Sequence, residues 1–541
     1  MPVKDWPVNT MSTQVLVIGA GAAGLRAAIA ARDSGAEVLV VTKGGFCKSG
    51  ASFDNINGRW AYQAAAGTSA KQDNPEKHFQ EMVDLGLGMI NNELAWLVAQ
   101  NAYDKLTDLQ AYGVRFRRNG QDPVRVPGCF SAVPRACVVE ELRNVGDSFY
   151  QAIDRRGIKF IEETEIIKLL VDDGTCVGAL GVRNGNEFVV ISSCSTVLAT
   201  GGGSQIFRRN LVPETSTGDG YVLGYEAGAS LINMEFIQIM LGVVVPEDNF
   251  FPLGTFKDHP RFLGCFGNEF LNDYYPDGSS IRHAYTQRMQ HAPFSCRDES
   301  KGIDIGIAKT IITGKCTPNF AVSVRKDKEK SGITWPNGGV EASYFFHSFN
   351  GGLLINFEAE TGARRLFAAG EVSGGVHGAD RLGGNMMPAT QVIGERAGKS
   401  AAIRSEDPPD VRKAGELAMQ EIDRIASFEG PENVDFSDTR EHIQWMMWKK
   451  CGVVRKAENL TGAIRTVNSI RDAISAVRVK NVIQRLAVER TLTLCGLILT
   501  AASRRNESRG SHYREDFPEK DDRQFGRPLI LHRDTSEGDV Q

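Results

Sequence analysis

The alternation of apolar runs with helical segments sets out the first architecture of the chain. Gln14 to Gly19, Q-V-L-V-I-G, is a short apolar run of mainly β-branched residues and predicts a buried strand. Leu25 to Ser34 has helical composition, and Ala36 to Thr42 predicts a second strand. The same signature returns at Ser195 to Gly203, S-T-V-L-A-T-G-G-G, an apolar strand ending in glycines. Thr217-Gly218-Asp219-Gly220 then leads into a helix-like Tyr221 to Ala229. Leu366 to Glu371, L-F-A-A-G-E, runs through a glycine-rich stretch to a helix from about Pro388. Residues 236–345 are poor in strong strand patterns. Ser405 to Val411, S-E-D-P-P-D-V, reads as a linker, and Arg412 to Arg505 is helical, with Ile470 to Leu499 holding little glycine or proline.

Composition narrows the classes. At 541 residues the chain exceeds one ordinary core, so two or three units are expected. A net charge of -4 gives no reason to expect nucleic acid or an anionic membrane surface. No stretch approaches the roughly 18 uninterrupted apolar residues of a membrane span, and the first ten residues lack a signal-peptide core, so a cytoplasmic location is expected. The cysteines, Cys265 and Cys316 among them, are scattered without a C-x-x-C, which argues against an iron–sulfur cluster or metal site in this chain.

Between the first strand and helix stands Gly19-Ala-Gly21-Ala22-Ala-Gly24. Strand, glycine turn, helix and strand within about 30 residues make this a dinucleotide-binding motif. The first glycine permits the turn, and the second lets backbone approach a pyrophosphate. The third lets the helix pack closely, with its N-terminal dipole toward the phosphates. The second strand ends in Thr42-Lys43 without the usual ribose-binding acid, so the motif alone does not choose between FAD and NAD.

The distant segments make that choice. Glycine turns and acids spread over some 380 residues, in this order, resemble the flavoprotein subunit family of fumarate reductases and succinate dehydrogenases, including L-aspartate oxidase, over nearly the whole chain. The resemblance implies FAD and an α/β fold, with a Rossmann-like FAD-binding domain, an inserted α+β capping domain and a C-terminal helical domain. The expected boundaries are 1–235 and 346–404 for the two parts of the FAD domain, 236–345 for the cap, and 405–541 for the helical domain and tail. It implies cofactor contacts at Gly19, Gly21, Ala22, Gly24, Thr42, Lys43, Ser49, Gly50, Ala51, Ala199, Thr200 and Gly201. Asp219 is expected at the adenosine side, Glu371 at ribitol or ribose hydroxyls, and Asn385, Met386 and Met387 by the flavin.

The reacting site is implied by three segments. Gly374 to Asn385, G-G-V-H-G-A-D-R-L-G-G-N, is nearly the family pattern, with Asp380 where asparagine is usual. Arg381 there matches the arginine that holds a substrate carboxylate, as a planar fork suits two oxygens. An ion pair to Asp380 or Glu371 is the alternative. His347, four residues before Gly351-Gly352, matches a second substrate contact; the alternative is a core histidine. Ser295-Cys296-Arg297-Asp298 resembles the S-R-D segment that opens a cap helix, which makes Arg297 the expected proton donor, with Asp298 or Glu299 as the acid returning its proton. The implied chemistry is hydride transfer between flavin N5 and the β-carbon of an α,β-unsaturated (di)carboxylic acid.

Three features shape the expectation further. Ser49-Gly50-Ala51 stands where the family often carries S-H-T with a covalently bonded histidine, so FAD is expected to be noncovalent. After Met234-Glu235-Phe236-Ile237-Gln238 the expected histidine is Met240, and no Thr-Glu pair for a second carboxylate is recognisable between Pro252 and Phe270. Lys257, His259 and Arg261 are candidates to rebuild an anion site. The tail from Glu507 to Pro518 resembles S-R-G-x-H-x-R-E-D-F-P, which lies near the electron partner in relatives or else forms a salt-bridged loop. The expected partners are a small carboxylic acid and an iron–sulfur protein, with any membrane contact made through partner subunits. Rival readings are an L-aspartate oxidase and a flavin-bearing electron-transfer subunit whose acid site has decayed.

Overall fold

A computed structural model describes residues 2–533 apart from 57, 66–72, 121, 246–247, 265–266, 276–277, 315–318, 324–338 and 406. Cys265 and Cys316 therefore lie outside the described residues; the remaining cysteines are free thiols.

The Val8–Ile18 strand is the axis of a seven-stranded sheet. It runs parallel to Val38–Val41 on one side and to Glu187–Leu198 on the other. Leu366–Ala368 joins Glu187–Leu198 in parallel, while Thr175–Arg183 and Thr164–Asp172 extend the sheet antiparallel. The parallel core strands read as continuous apolar runs because helices cover them. Ala22–Asp33 is one cover and Met386–Ile403 another. Their backbones touch because the facing residues are small. A Cβ on Gly394 would sit 2.7 Å from the Ala23 carbonyl oxygen, and one on Gly398 would sit 2.1 Å from that of Ala27.

A second, five-stranded antiparallel sheet draws its strands from Ile237–Val245, Asn249–Phe250, Arg261–Leu263, Phe320–Ser323 and Gly339–Phe349. It occupies the stretch where strand patterning is weak and carries on to Phe349. Its long strand I-Q-I-M-L-G-V-V-V is buried along most of its length, so its residues do not alternate apolar with polar. Gln238 pairs with Ser348 and Ile239 with Phe346, which leaves His347 as the extra residue of a β-bulge. Such a bulge re-aims a side chain and bends the strand locally.

The C-terminal part is helical: Val411–Ala426, Ser437–Lys450, Ala457–Ser475 and Val482–Arg504. The stretch Ile470 to Leu499, helical in pattern, falls in two helices. Val479 leaves the helical path because its amide bonds the Phe428 carbonyl at 2.9 Å, and the Asn481 side chain caps the next helix. Val482–Arg504 is long and apolar enough to cross a membrane by length and composition alone. In the fold it carries Arg485 and Arg490, both buried in ion pairs.

Candidate active site

The strand ends, the two covering helices and the cap sheet enclose a cleft of about 410 Å³. Glycines shape its floor. Gly19 has φ +108°, and a Cβ there would lie 2.3 Å from the Ala199 carbonyl oxygen. A Cβ on Gly24 would lie 1.9 Å from the Gly19 carbonyl oxygen, so Gly24 locks helix to strand and does not line the cleft. Gly21 is different: an added Cβ would meet only the Ser52 hydroxyl at 3.6 Å. It N-caps Ala22–Asp33 without a side chain, which leaves a helix N-terminus facing the cleft. The start of Met386–Ile403 is similar, since its N-cap residue Asn385 makes no side-chain capping bond.

Ala22, Thr42, Lys43, Ser49, Gly50 and Ala51 line the cleft from the first strands, and Ala199, Thr200 and Gly201 from the Glu187–Leu198 strand end. Asp219 lies at the head of Asp219–Glu226, whose N-cap residue is Gly218, so it is not a helix cap. Its carboxylate pairs with Lys43 at 3.0 Å and Arg490 at 3.0 Å. Although burial opposes ionisation, Arg490 and Lys43 together hold the acid far below the usual carboxylate range. Glu165, also paired with Arg490, lines the same cleft.

Glu371 faces the cleft and accepts the Phe349 amide at 2.9 Å. Burial pushes its carboxyl up to about 7, against the pull of that amide and of Arg381. A Cβ on Gly202 would overlap this carboxylate at 2.1 Å. Met386 and Met387 line the cleft, but Asn385 does not. Asn385 is fully buried, with its Oδ1 2.8 Å from Nε2 of His78.

Arg381 and His347 come together at the cap side of the cleft. Arg381 makes no ion pair to Asp380 or Glu371. Its Nη2 donates to Gln238 Oε1 at 2.5 Å and Ser348 Oγ at 3.2 Å, while its buried Nε has no partner among the described residues. His347 stands edge-on to Phe250 at 5.5 Å, with Nδ1 buried and, among the described residues, unpartnered. Burial, and then the Arg381 guanidinium, hold this imidazole down to about 3, so it is neutral at ordinary pH. Gln238 and Ser348 are contacts that single-residue reading missed, although Gln238 stood in the quoted M-E-F-x-Q segment. His377 was missed as well; it is buried beside Arg381 with Nε2 unpartnered.

Arg297 does not line the cleft. It precedes the Lys301–Ile312 helix, and its Nε donates to Asp380 Oδ2 at 3.2 Å. Asp298, one of the two acids expected to return its proton, meets His291 at 3.2 Å and accepts from Ser300. Thr255 is fully buried with an unpartnered hydroxyl, and Phe256 packs among Phe251, Phe262 and Tyr285. Met240 pairs across to Phe345 and bridges to Pro293. Arg261 is engaged by Glu269. The tail is a buried ionic loop: Arg505 joins Glu235 at 2.5 Å and Glu507 at 2.7 Å, each side chain fully buried.

The donors present fit FAD. Two helix N-termini and a glycine floor suit a pyrophosphate, Glu165, Asp219 and Glu371 line the cleft as acceptors that suit sugar hydroxyls, and Thr200 Oγ1 is buried without a partner among the described residues. Residues 14–387 match a family model described as FAD binding domain, and residues 440–541 match one described as fumarate reductase flavoprotein C-term. The chain is 31% identical to a fumarate reductase (CoM/CoB) polypeptide of Methanothermobacter marburgensis, over 96% of this chain and 97% of that one. It is 27% identical to L-aspartate oxidase of Mycobacterium leprae, over 96% and 94%. Among solved structures, Mycobacterium smegmatis Sdh1 in complex with UQ1 superposes with a TM-score of 0.81 at 27% identity, covering 98% of this chain and 93% of that one. The chain therefore belongs to the FAD-binding flavoprotein family of fumarate reductases and succinate dehydrogenases, oxidoreductases that act on carbon–carbon bonds.

Proposed function

We propose that the chain is the flavoprotein subunit of a fumarate-reductase-like complex and reduces the double bond of an α,β-unsaturated carboxylic acid. One observation carries the reading: Arg381 and His347, each with a buried unpartnered nitrogen, open into the cleft that fits FAD. Bound FAD supplies the two-electron redox centre. Arg381, held on one side by Gln238 and Ser348, offers the rest of its planar fork to one carboxylate. Neutral His347 adds a hydrogen bond without a second charge. Together they stabilise negative charge as it develops on that carboxylate.

Arg297 is the proposed acid toward the α-carbon, and what supports it is its tether to the residue next to Arg381. With Met240 where a histidine is expected and no Thr-Glu pair recognisable between Pro252 and Phe270, the proposed class extends to monocarboxylic and larger enoates. Gly50, at φ +84° on the cleft wall, offers no side chain for a covalent link, which supports noncovalent FAD. The proposed electron partner is an iron–sulfur protein.

The test is reduction of fumarate, larger dicarboxylic enoates and cinnamate by the purified FAD-loaded chain with a reduced viologen. Turnover of at least one acid is expected, and no turnover with FAD bound would refute the reading. The position of Arg297 outside the cleft favours a second reading, an electron-transfer subunit. It predicts full activity of the whole complex with Arg297→Ala. Oxygen-dependent oxidation of L-aspartate by the isolated chain would mark an oxidase instead.

A further inference from the structure

Asp380 lies in the loop that carries Arg381, and its side chain is 2% exposed. Such a carboxylate needs partners, and both come from the cap. Ser295 Oγ donates to Asp380 Oδ2 at 2.6 Å, and Arg297 Nε donates to the same oxygen at 3.2 Å. The Arg297 amide donates back to Ser295 Oγ at 3.2 Å, which closes a small ring of hydrogen bonds. The guanidinium also lies over the Phe130 ring at 5.2 Å, and its Nη2 reaches the Asp84 carbonyl at 3.5 Å. Among the described residues its Nη1 has no hydrogen-bond partner.

The anchor itself is fixed. Asp380 donates its amide to the Leu85 carbonyl, and Ala379 donates to that of Gly86. The tail closes behind both partners: the Gly510 carbonyl accepts the Cys296 amide at 2.7 Å, and Ser511 donates to the Ala379 carbonyl at 3.3 Å. Gly510 has φ +51°, and a Cβ there would lie 2.5 Å from the Ala379 carbonyl oxygen.

We propose that Asp380 is the positioning residue of the proposed proton donor, a buried carboxylate that fixes Arg297 of the cap in register with Arg381 of the FAD-binding loop. This rests on the donor reading of Arg297. An amide at this position keeps the shape and the Ser295 bond but loses the charge that orients the guanidinium. Burial raises the Asp380 carboxyl, opposed first by Arg297 and then by its bond from Ser295, consistent with a charge held by few partners.

The test compares Asp380→Asn, Asp380→Glu, Arg297→Gln and the Asp380→Asn/Arg297→Gln double variant, all as FAD-loaded full chains. The first readout needs no substrate: modification of Arg297 by phenylglyoxal, followed by peptide mass spectrometry, with Arg208 as internal control. Asp380→Asn is expected to speed modification of Arg297 by about threefold or more and leave Arg208 unchanged, because an ion pair shields the guanidinium. The second is steady-state enoate reduction. Asp380→Asn should lower kcat by about 10²-fold with KM within about threefold, as a misplaced acid would. Asp380→Glu should recover part of the loss, and the double variant should be no slower than Arg297→Gln. Unchanged labelling of Arg297, unchanged kcat, or multiplicative effects in the double variant would each overturn the role given to Asp380. If Arg297→Gln kept full turnover, the donor reading would fall, separately from the labelling result. Should the wild type reduce no acid, labelling alone decides whether Asp380 holds Arg297.

Discussion

A guanidinium with part of its fork engaged and an imidazole kept neutral by burial are the features on which the proposed site for one carboxylate rests. Arg381→Lys keeps the charge but loses the fork, so kcat/KM for any accepted acid should fall about 10²-fold with FAD content unchanged. Steady-state kinetics beside the flavin absorbance checks this. Burial also sets a pH dependence of stability. His78, fully enclosed beside Asn385, is held down to about 4, chiefly by burial and then by Arg135. In the unfolded chain it takes its proton near 6.5. Between those values the unfolded state binds more protons, so the contribution of neutral His78 is complete above about 6.5 and is lost as pH falls toward 4. The loss amounts to about 3 kcal/mol. Denaturant titrations at several pH values should show that fall, with a shallower slope in His78→Gln.

At the scale of elements, the glycines of one motif do different jobs. Gly24 meets backbone and Gly21 meets open cleft. Gly24→Ala should lower the melting temperature of the apoprotein and its FAD content together. Gly21→Ala should lower FAD content while the apoprotein melts near the wild-type temperature. Calorimetry with and without added FAD separates the two. The strand–turn–helix was legible in the sequence because apolar period and glycine spacing are local signals. The break at Val479 was not, since it depends on a bond to Phe428, about fifty residues earlier. Nor was the bulge at His347, because only cross-strand pairing shows which residue is left over. The sequence order His347, Arg381 pointed to the site without the geometry that joins them.

Across the whole molecule, the tail binds distant parts of the chain together. Glu235 and Arg505 are both fully buried. Removing one partner of such a pair costs about 3–5 kcal/mol, because the other charge stays buried. Glu235→Ala should therefore lower the unfolding midpoint strongly, and double variants with Arg505→Ala should recover part of the loss. The S-R-G-S-H segment is thus a packing element behind Ala379 and Cys296. The cofactor makes a simpler prediction: acid precipitation should release yellow FAD into the supernatant and leave the pellet colourless. A flavin retained on the peptide would refute noncovalent binding.

The sequence by itself determined the α/β class and the dinucleotide-binding turn, because apolar period and glycine spacing are local signals, while FAD and the candidates Arg381, His347 and Asp219 came from the resemblance of separate segments to one family. Tertiary structure decided which groups touch. It gave Arg297 to Asp380, turned Asp298 to His291, and joined Asp219 to Arg490 some 270 residues away. Burial and charge pairing are properties of neighbours in space, and only the folded chain chooses them.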